Sequence, residues 1–163
     1  MFDDRLLMLA RLTLDEAQQK RLKIVTAESC TGGLIAGLLT EIPGSSATVE
    51  RGFIVYSNKA KEEMLNVPGD LIADAGAVSE PVVRAMAEGA LADSRANLAV
   101  AVTGVAGPAG GTPLKPVGLV HFAVARENRP IHHQVMRFGE VGRTEIRRQT
   151  IITALEMLRR MME

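Results

Sequence analysis

Residues 98–111 read LAVAVTGVAGPAGG. Leu98 to Val102 run without a polar break, as in a strand buried on both faces of a sheet. The stretch then passes directly into Thr103-Gly104-Val105-Ala106-Gly107-Pro108-Ala109-Gly110-Gly111, a loop holding four glycines. A strand covered on both faces needs a helical layer on each side. The sequence around it supplies those parts. Lys23 to Ala27 and Arg51 to Tyr56 read as further strands, and Val117 to Ala125 with Ile131 to Phe138 as an antiparallel pair across Glu127-Asn128-Arg129-Pro130. Apolar residues at helical spacing predict helices over 3–20 and 144–162, a further helix fits 34–40, and a short charged one 58–64. Another starts at Ser79-Glu80-Pro81, with Ser79 as N-cap and proline in the first turn. The expected fold is one α/β domain over 1–163, a three-layer α/β/α sandwich around a mostly parallel, mixed sheet of about five strands.

The chain has 163 residues, of which 47% are apolar and 23% charged, a composition that builds a core. Lys plus Arg equals Asp plus Glu at 19 each, so the whole protein carries no field to attract nucleic acid or an anionic membrane. Its single cysteine, Cys30, forms no internal disulfide and no zinc cluster, which suits a reducing compartment. The start, MFDDRLLMLARLTLDEAQQKR, is acidic and interrupted by charge, unlike a secretory leader. No apolar run approaches a bilayer span. A cytoplasmic protein without metal or cofactor is expected, and the apolar, Met-rich terminal helices suit a homodimer.

In open α/β sheets ligands bind beyond the C-terminal ends of the parallel strands. Three segments reach that edge: Glu28 to Gly33, Tyr56 to Lys61, and Thr103 to Gly111. In the first, Ser29 stands at the sheet edge, and the amides of Cys30, Thr31, Gly32 and Gly33 begin a helix, where N–H groups favour an oxyanion. The alternative is an N-cap serine with packing glycines. Serine needs a base. His121, His132 and His133 all lie outside the three segments, which argues against a Ser-His-Asp triad. A lysine serves if burial or a nearby cation lowers its pKa. Lys59 and Lys61 both follow the GFIVY strand, and Tyr56 at its end could relay a proton. The glycine loop, with Thr103, Gly104, Ala106 and Gly107, lacks the Walker and dinucleotide fingerprints and offers only a backbone-lined concavity. Arg143, Arg147 and Arg148 open the last helix and suit a phosphate clamp. Cys30 is a rival nucleophile or a small buried residue.

The blocks TAESCTGGLIAGLLT, PGSSATVERGFIVYSNKAK, GAVSEP, VTGVAGPAGG and KPVGLVHFA, in this order, resemble the C-terminal domain of the CinA family from about Leu6 to Met162. The resemblance implies a three-layer sandwich and a serine amidohydrolase that converts nicotinamide mononucleotide and water to nicotinate mononucleotide and ammonia, in pyridine-nucleotide salvage. It implies Ser29 as nucleophile, Lys61 rather than Lys59 as base, Tyr56 as their companion, and the Thr103–Gly107 loop as substrate binding; Arg147 and Arg148 are further substrate-binding candidates, with the arginine that meets the phosphate left open. Where family members often carry Gly-Asp-Arg, this chain reads Val141-Gly142-Arg143. Two other readings remain open: a nucleotide-binding module without turnover, and an interaction protein of competence or DNA damage.

Overall fold

The computed structural model describes all 163 residues. Six helices and five strands follow in the order α1 (Asp4–Gln19), β1 (Ile24–Glu28), α2 (Leu34–Glu41), β2 (Val49–Ile54), α3 (Asn58–Leu65), α4 (Gly69–Ala75), α5 (Glu80–Ala92), β3 (Leu98–Gly104), β4 (Leu119–Arg126), β5 (His132–Arg137) and α6 (Arg143–Met162). The sheet order is β2-β1-β3-β4-β5. β1 runs parallel to β2 and β3, and β4 pairs antiparallel with β3 and β5. Only β4 therefore opposes the common direction, and the expected mixed sandwich is what the chain forms.

Side-chain size divides the two faces of the sheet. Leu98, Val100 and Val102 of β3, with Val120, Phe122 and Val124 of β4, pack into the core formed with α1, α2 and α6. Ala99, Ala101, Ala123 and Ala125 point the other way, into the core shared with α5. Strand alternation sends successive residues to opposite faces, so one face is branched or aromatic and the other is almost all alanine. The alanine face lets α5 lie close, with Val82, Val83, Met86, Ala87 and Ala90 buried against it.

Two expectations shift. β2 ends at Ile54 rather than Tyr56, because the carbonyls of Val55 and Tyr56 accept from the Lys61 amine instead of a neighbouring strand. Helix α4 was not expected from the sequence; only Ile72 of its seven residues is buried, too little for an apolar period.

The register fixes the working edge. Glu28 lies level with Ile54 of β2 and Val102 of β3, so Ser29, Val55 and Thr103 leave the parallel strands side by side. No helix is long and apolar enough to cross a membrane.

Candidate active site

Helix α3 starts immediately after β2, with Ser57 as N-cap accepting from the Ala60 amide. That tight entry turns Lys61, in the first turn, back beneath the strand ends, where it is only 1% exposed. Its Nζ donates to the Val55 carbonyl at 2.9 Å and the Tyr56 carbonyl at 3.1 Å, and stands 3.0 Å from Ser29 Oγ. None of the three partners carries a charge. Burial therefore pushes the lysine pKa below its ordinary value with no carboxylate to oppose it. The amine thus meets three uncharged oxygens, two carbonyls and the Ser29 hydroxyl, each within donating distance of Nζ. Lys59, two positions earlier, points outward to Glu62 and Glu63.

Ser29 is held from both sides. Its amide donates to Val102 O at 3.1 Å, and the Val55 amide donates to Glu28 O at 2.9 Å. The chain then turns through Cys30, Thr31, Gly32 and Gly33 into α2. Gly32 and Gly33 have φ of +59° and +101°, a backbone that side chains resist. The Gly32 amide closes this turn onto Ser29 O, which removes it from the expected oxyanion donors. The amides of Cys30, Thr31 and Gly33 make no bond to a backbone carbonyl. Of that turn only Ser29 and Cys30 line the cavity in front of Lys61. Were Ser29 to act as a nucleophile, the N–H that follows it, that of Cys30, would be the first candidate donor for an oxyanion. Cys30 itself is buried, and desolvation pushes its thiol up to about 12. A thiol so held stays protonated at neutral pH and is a poor rival to Ser29.

The cavity measures about 170 Å³. Beyond Ser29, Cys30 and Lys61 it is lined by Tyr56 and Asn58, by Ala77 and Val78, by Thr103, Gly104 and Ala106, and by Arg143. A larger open cleft of about 380 Å³ lies between the C-terminal ends of α1 and α6, but its lining of Glu16, Lys20, Glu156, Arg159, Arg160 and Glu163 has no nucleophile. The smaller space is the one that holds Ser29 and Lys61 together.

Several predicted site residues are elsewhere. Thr31, Gly32 and Gly33 lie behind the turn rather than in the cavity. Thr31 is fully buried, with its hydroxyl donating to Glu28 at 2.6 Å. Arg148 is directed toward Asp3 and Glu145 and does not line the cavity. Arg147 reaches the turn from behind, its Nη2 donating to Thr31 O at 3.2 Å. Neither arginine accounts for the lowered Lys61 pKa, which burial explains. The cation at the cavity is Arg143, whose Nη1 donates to Gly107 O at 2.7 Å and whose Nη2 approaches the Tyr56 hydroxyl at 3.4 Å. Gly107 thus bears on the site through Arg143. Tyr56 is 63% exposed and meets Lys61 through its carbonyl. Its hydroxyl bonds neither Ser29 nor Lys61, so the expected relay is not formed.

Sequence reading missed Asn58, Ala77 and Val78. The last two precede the Ser79 cap, and the signal of GAVSEP as a helix start hid its second use as a cavity wall. The histidines form a group of their own. His121 lies across the ladder from Thr103, but its Nδ1 faces His133 Nε2 at 2.9 Å. Burial, and then the neighbouring His133, hold its pKa at about 4.

Comparison with known proteins agrees with this architecture. The family model described as the CinA C-terminal domain matches residues 7–162. The chain belongs to the CinA C-terminal domain family. A CinA-like protein of Anaeromyxobacter sp. (strain K) is 50% identical over 137 residues, covering 84% of this chain and 33% of that protein. The chain thus spans about a third of the length of such CinA relatives. The crystal structure of competence/damage inducible protein CihA from Agrobacterium tumefaciens superposes with a TM-score of 0.95 at 54% identity, over 97% of this chain and 96% of that one. A CinA superfamily protein from Escherichia coli gives a TM-score of 0.86 at 30% identity, over 97% and 92%.

Proposed function

We propose that this CinA domain is a serine amidohydrolase that deamidates nicotinamide mononucleotide. The observation that carries the reading is the Lys61 amine, buried without a counter-ion and 3.0 Å from Ser29 Oγ. Neutral Lys61 takes the Ser29 proton as Oγ attacks the carboxamide carbon. The Cys30 N–H stabilises the oxyanion as the tetrahedral intermediate forms. The C–N bond then breaks, Lys61 returns its proton to the departing nitrogen, and ammonia leaves. Water attacks the resulting acyl-enzyme while Lys61 again accepts a proton. Collapse releases the carboxylate and restores the Ser29 hydroxyl.

A cavity of about 170 Å³ suits one six-membered ring with its carboxamide, between Ala77 and Val78 on one side and Gly104 and Ala106 on the other. Ribose and phosphate then extend past the rim, where Arg143 offers a guanidinium. The pyridinium form of the ring adds a positive charge beside Lys61, which further disfavours the ammonium once substrate is bound.

Ammonia release from nicotinamide mononucleotide, nicotinamide, its riboside and the dinucleotide tests the reading, with Ser29→Ala as control. The mononucleotide is expected to lead the panel and Ser29→Ala to abolish release. Binding of the mononucleotide without any ammonia would favour a nucleotide-holding module instead. The names of relatives mention competence and damage; the neutral charge balance of this chain weighs only against a DNA-binding form of such a role.

A further inference from the structure

Glu28 is a carboxylate with no exposure to solvent and no cation beside it. Four donors meet its two oxygens. Thr31 Oγ1 donates to Oε1 at 2.6 Å and the Ile35 amide to the same oxygen at 2.9 Å. The Ala36 amide donates to Oε2 at 3.0 Å and Thr26 Oγ1 to it at 3.2 Å. A carboxylate only accepts, and here each oxygen accepts twice, so its capacity is matched without a proton of its own. Three of the four donors belong to the segment that follows Ser29 into α2. The fourth, on β1, keeps the carboxylate against the strand.

The cost of burying a carboxylate is met only where its hydrogen bonds are well made. A small turn between strand and helix does not need one for folding; serine, threonine or asparagine caps a helix more simply. What Glu28 adds is rigidity at one place. It ties the first turn of α2 to the end of β1, while Arg147 holds Thr31 O from the opposite side. Between those two anchors lie Ser29 and the Cys30 N–H. We propose that Glu28 is a positioning residue that fixes the nucleophile and its oxyanion donor relative to Lys61, acting through Thr31 and the first amides of α2. The inference rests on the reading of Ser29 as the nucleophile.

Glu28→Gln keeps the shape but places an NH2 against a backbone N–H, whichever way the amide turns. Misplacement of the turn is expected to lower kcat on the order of a hundredfold. KM is expected to stay within about twofold, because the ring walls Ala77, Val78 and Gly104 lie on other elements. Thr31→Val, which removes one donor and keeps the volume, provides the second variant should Glu28→Gln fold poorly. It is expected to lower kcat about tenfold at constant KM, and Thr31→Ser to recover most of the loss. The same variants are assayed for acetylation of Ser29 by an aryl acetate, followed by mass spectrometry, which needs no knowledge of the natural substrate.

Parallel losses in kcat and in acetylation rate, with KM held and Thr31→Ser restored, support the role. A kcat within twofold of wild type in Glu28→Gln and Thr31→Val overturns it. So does a loss that simply follows the folded fraction in both variants. If wild type is acetylated at Ser29 yet releases no ammonia from the mononucleotide, the substrate assignment fails and the acetylation rates alone decide Glu28. If wild type does neither, both readings fall.

Discussion

Lys61 meets two carbonyls and one hydroxyl, and that set of partners dictates a pH dependence. Below its lowered pKa the amine is an ammonium that can only donate, and the serine proton has nowhere to go. Above it the lone pair is free. Activity is therefore expected to rise with pH along a limb whose midpoint lies below the ordinary 10.5 of lysine. The same shift has a sign for stability. Between the lowered pKa and 10.5 the unfolded chain holds a proton that the folded chain has lost, so the fold gains stability as pH rises through that window. Lys61→Arg keeps the positive charge but not the base, since guanidinium stays protonated. Its kcat is expected to fall roughly a hundredfold to ten-thousandfold, and raising the pH should not recover it. A pH–rate profile of the two proteins decides the matter; a normal rate in Lys61→Arg would remove lysine from the mechanism.

Helix α5 lies on the alanine face of the sheet and beneath α3, the helix that carries Lys61. The closest approach is at Gly89, where an added Cβ would collide with the carbonyl oxygen of Leu65, at the end of α3. That neighbour is backbone, so one of the two helices has to move. Gly89→Ala, ordinarily favourable in a helix interior, is expected here to cost about 1–3 kcal/mol in denaturant titration. A stabilised Gly89→Ala would show that the α3–α5 contact is looser than drawn. Elements of this kind differ in how legible they were in the sequence. β3 announced itself by an unbroken apolar run, and α5 by a Ser-Glu-Pro start, because burial and capping are local constraints. The end of β2 was misread because the carbonyls of Val55 and Tyr56 bond a side chain five or six residues on rather than a strand. Ser29 and Lys61 could each be suspected from residue type and sheet edge, and the family resemblance paired them. Their separation and the burial of Lys61 depend on how α3 packs, which no local pattern records. The direction of Arg148 was not legible for a related reason: its neighbour Asp3 stands at the far end of the chain.

Across the whole molecule the cavity is assembled from five stretches of chain, around Ser29, Tyr56 to Lys61, Ala77 to Val78, Thr103 to Ala106, and Arg143. The parallel strands bring Ser29, Val55 and Thr103 to one edge, and α5 places the loop before it on the same edge. Thr103 Oγ1 locks that loop by donating to Ala77 O at 3.0 Å. The last contribution comes from α6, which is buried along much of its length against the larger core and ends beside α1, where Arg159 pairs with Glu16. Its first residue, Arg143, reaches over the cavity to Gly107 O and Tyr56, joining the C-terminal helix to two loops of the site. The side chain is on the surface, so its removal should leave the melting temperature nearly unchanged. Its charge lies where a phosphate emerging from the ring cavity would pass. Arg143→Ala is therefore expected to lower kcat/KM for the mononucleotide roughly tenfold to a hundredfold, chiefly through KM. Arg143→Lys should restore only part, since an ammonium cannot hold a carbonyl and a phosphate in one plane. The riboside, which lacks the phosphate, supplies the decisive comparison. Its weaker turnover should be nearly the same in wild type and Arg143→Ala if the guanidinium acts on the phosphate. Equal losses on both substrates would mean instead that Arg143 acts by holding the Gly107 loop.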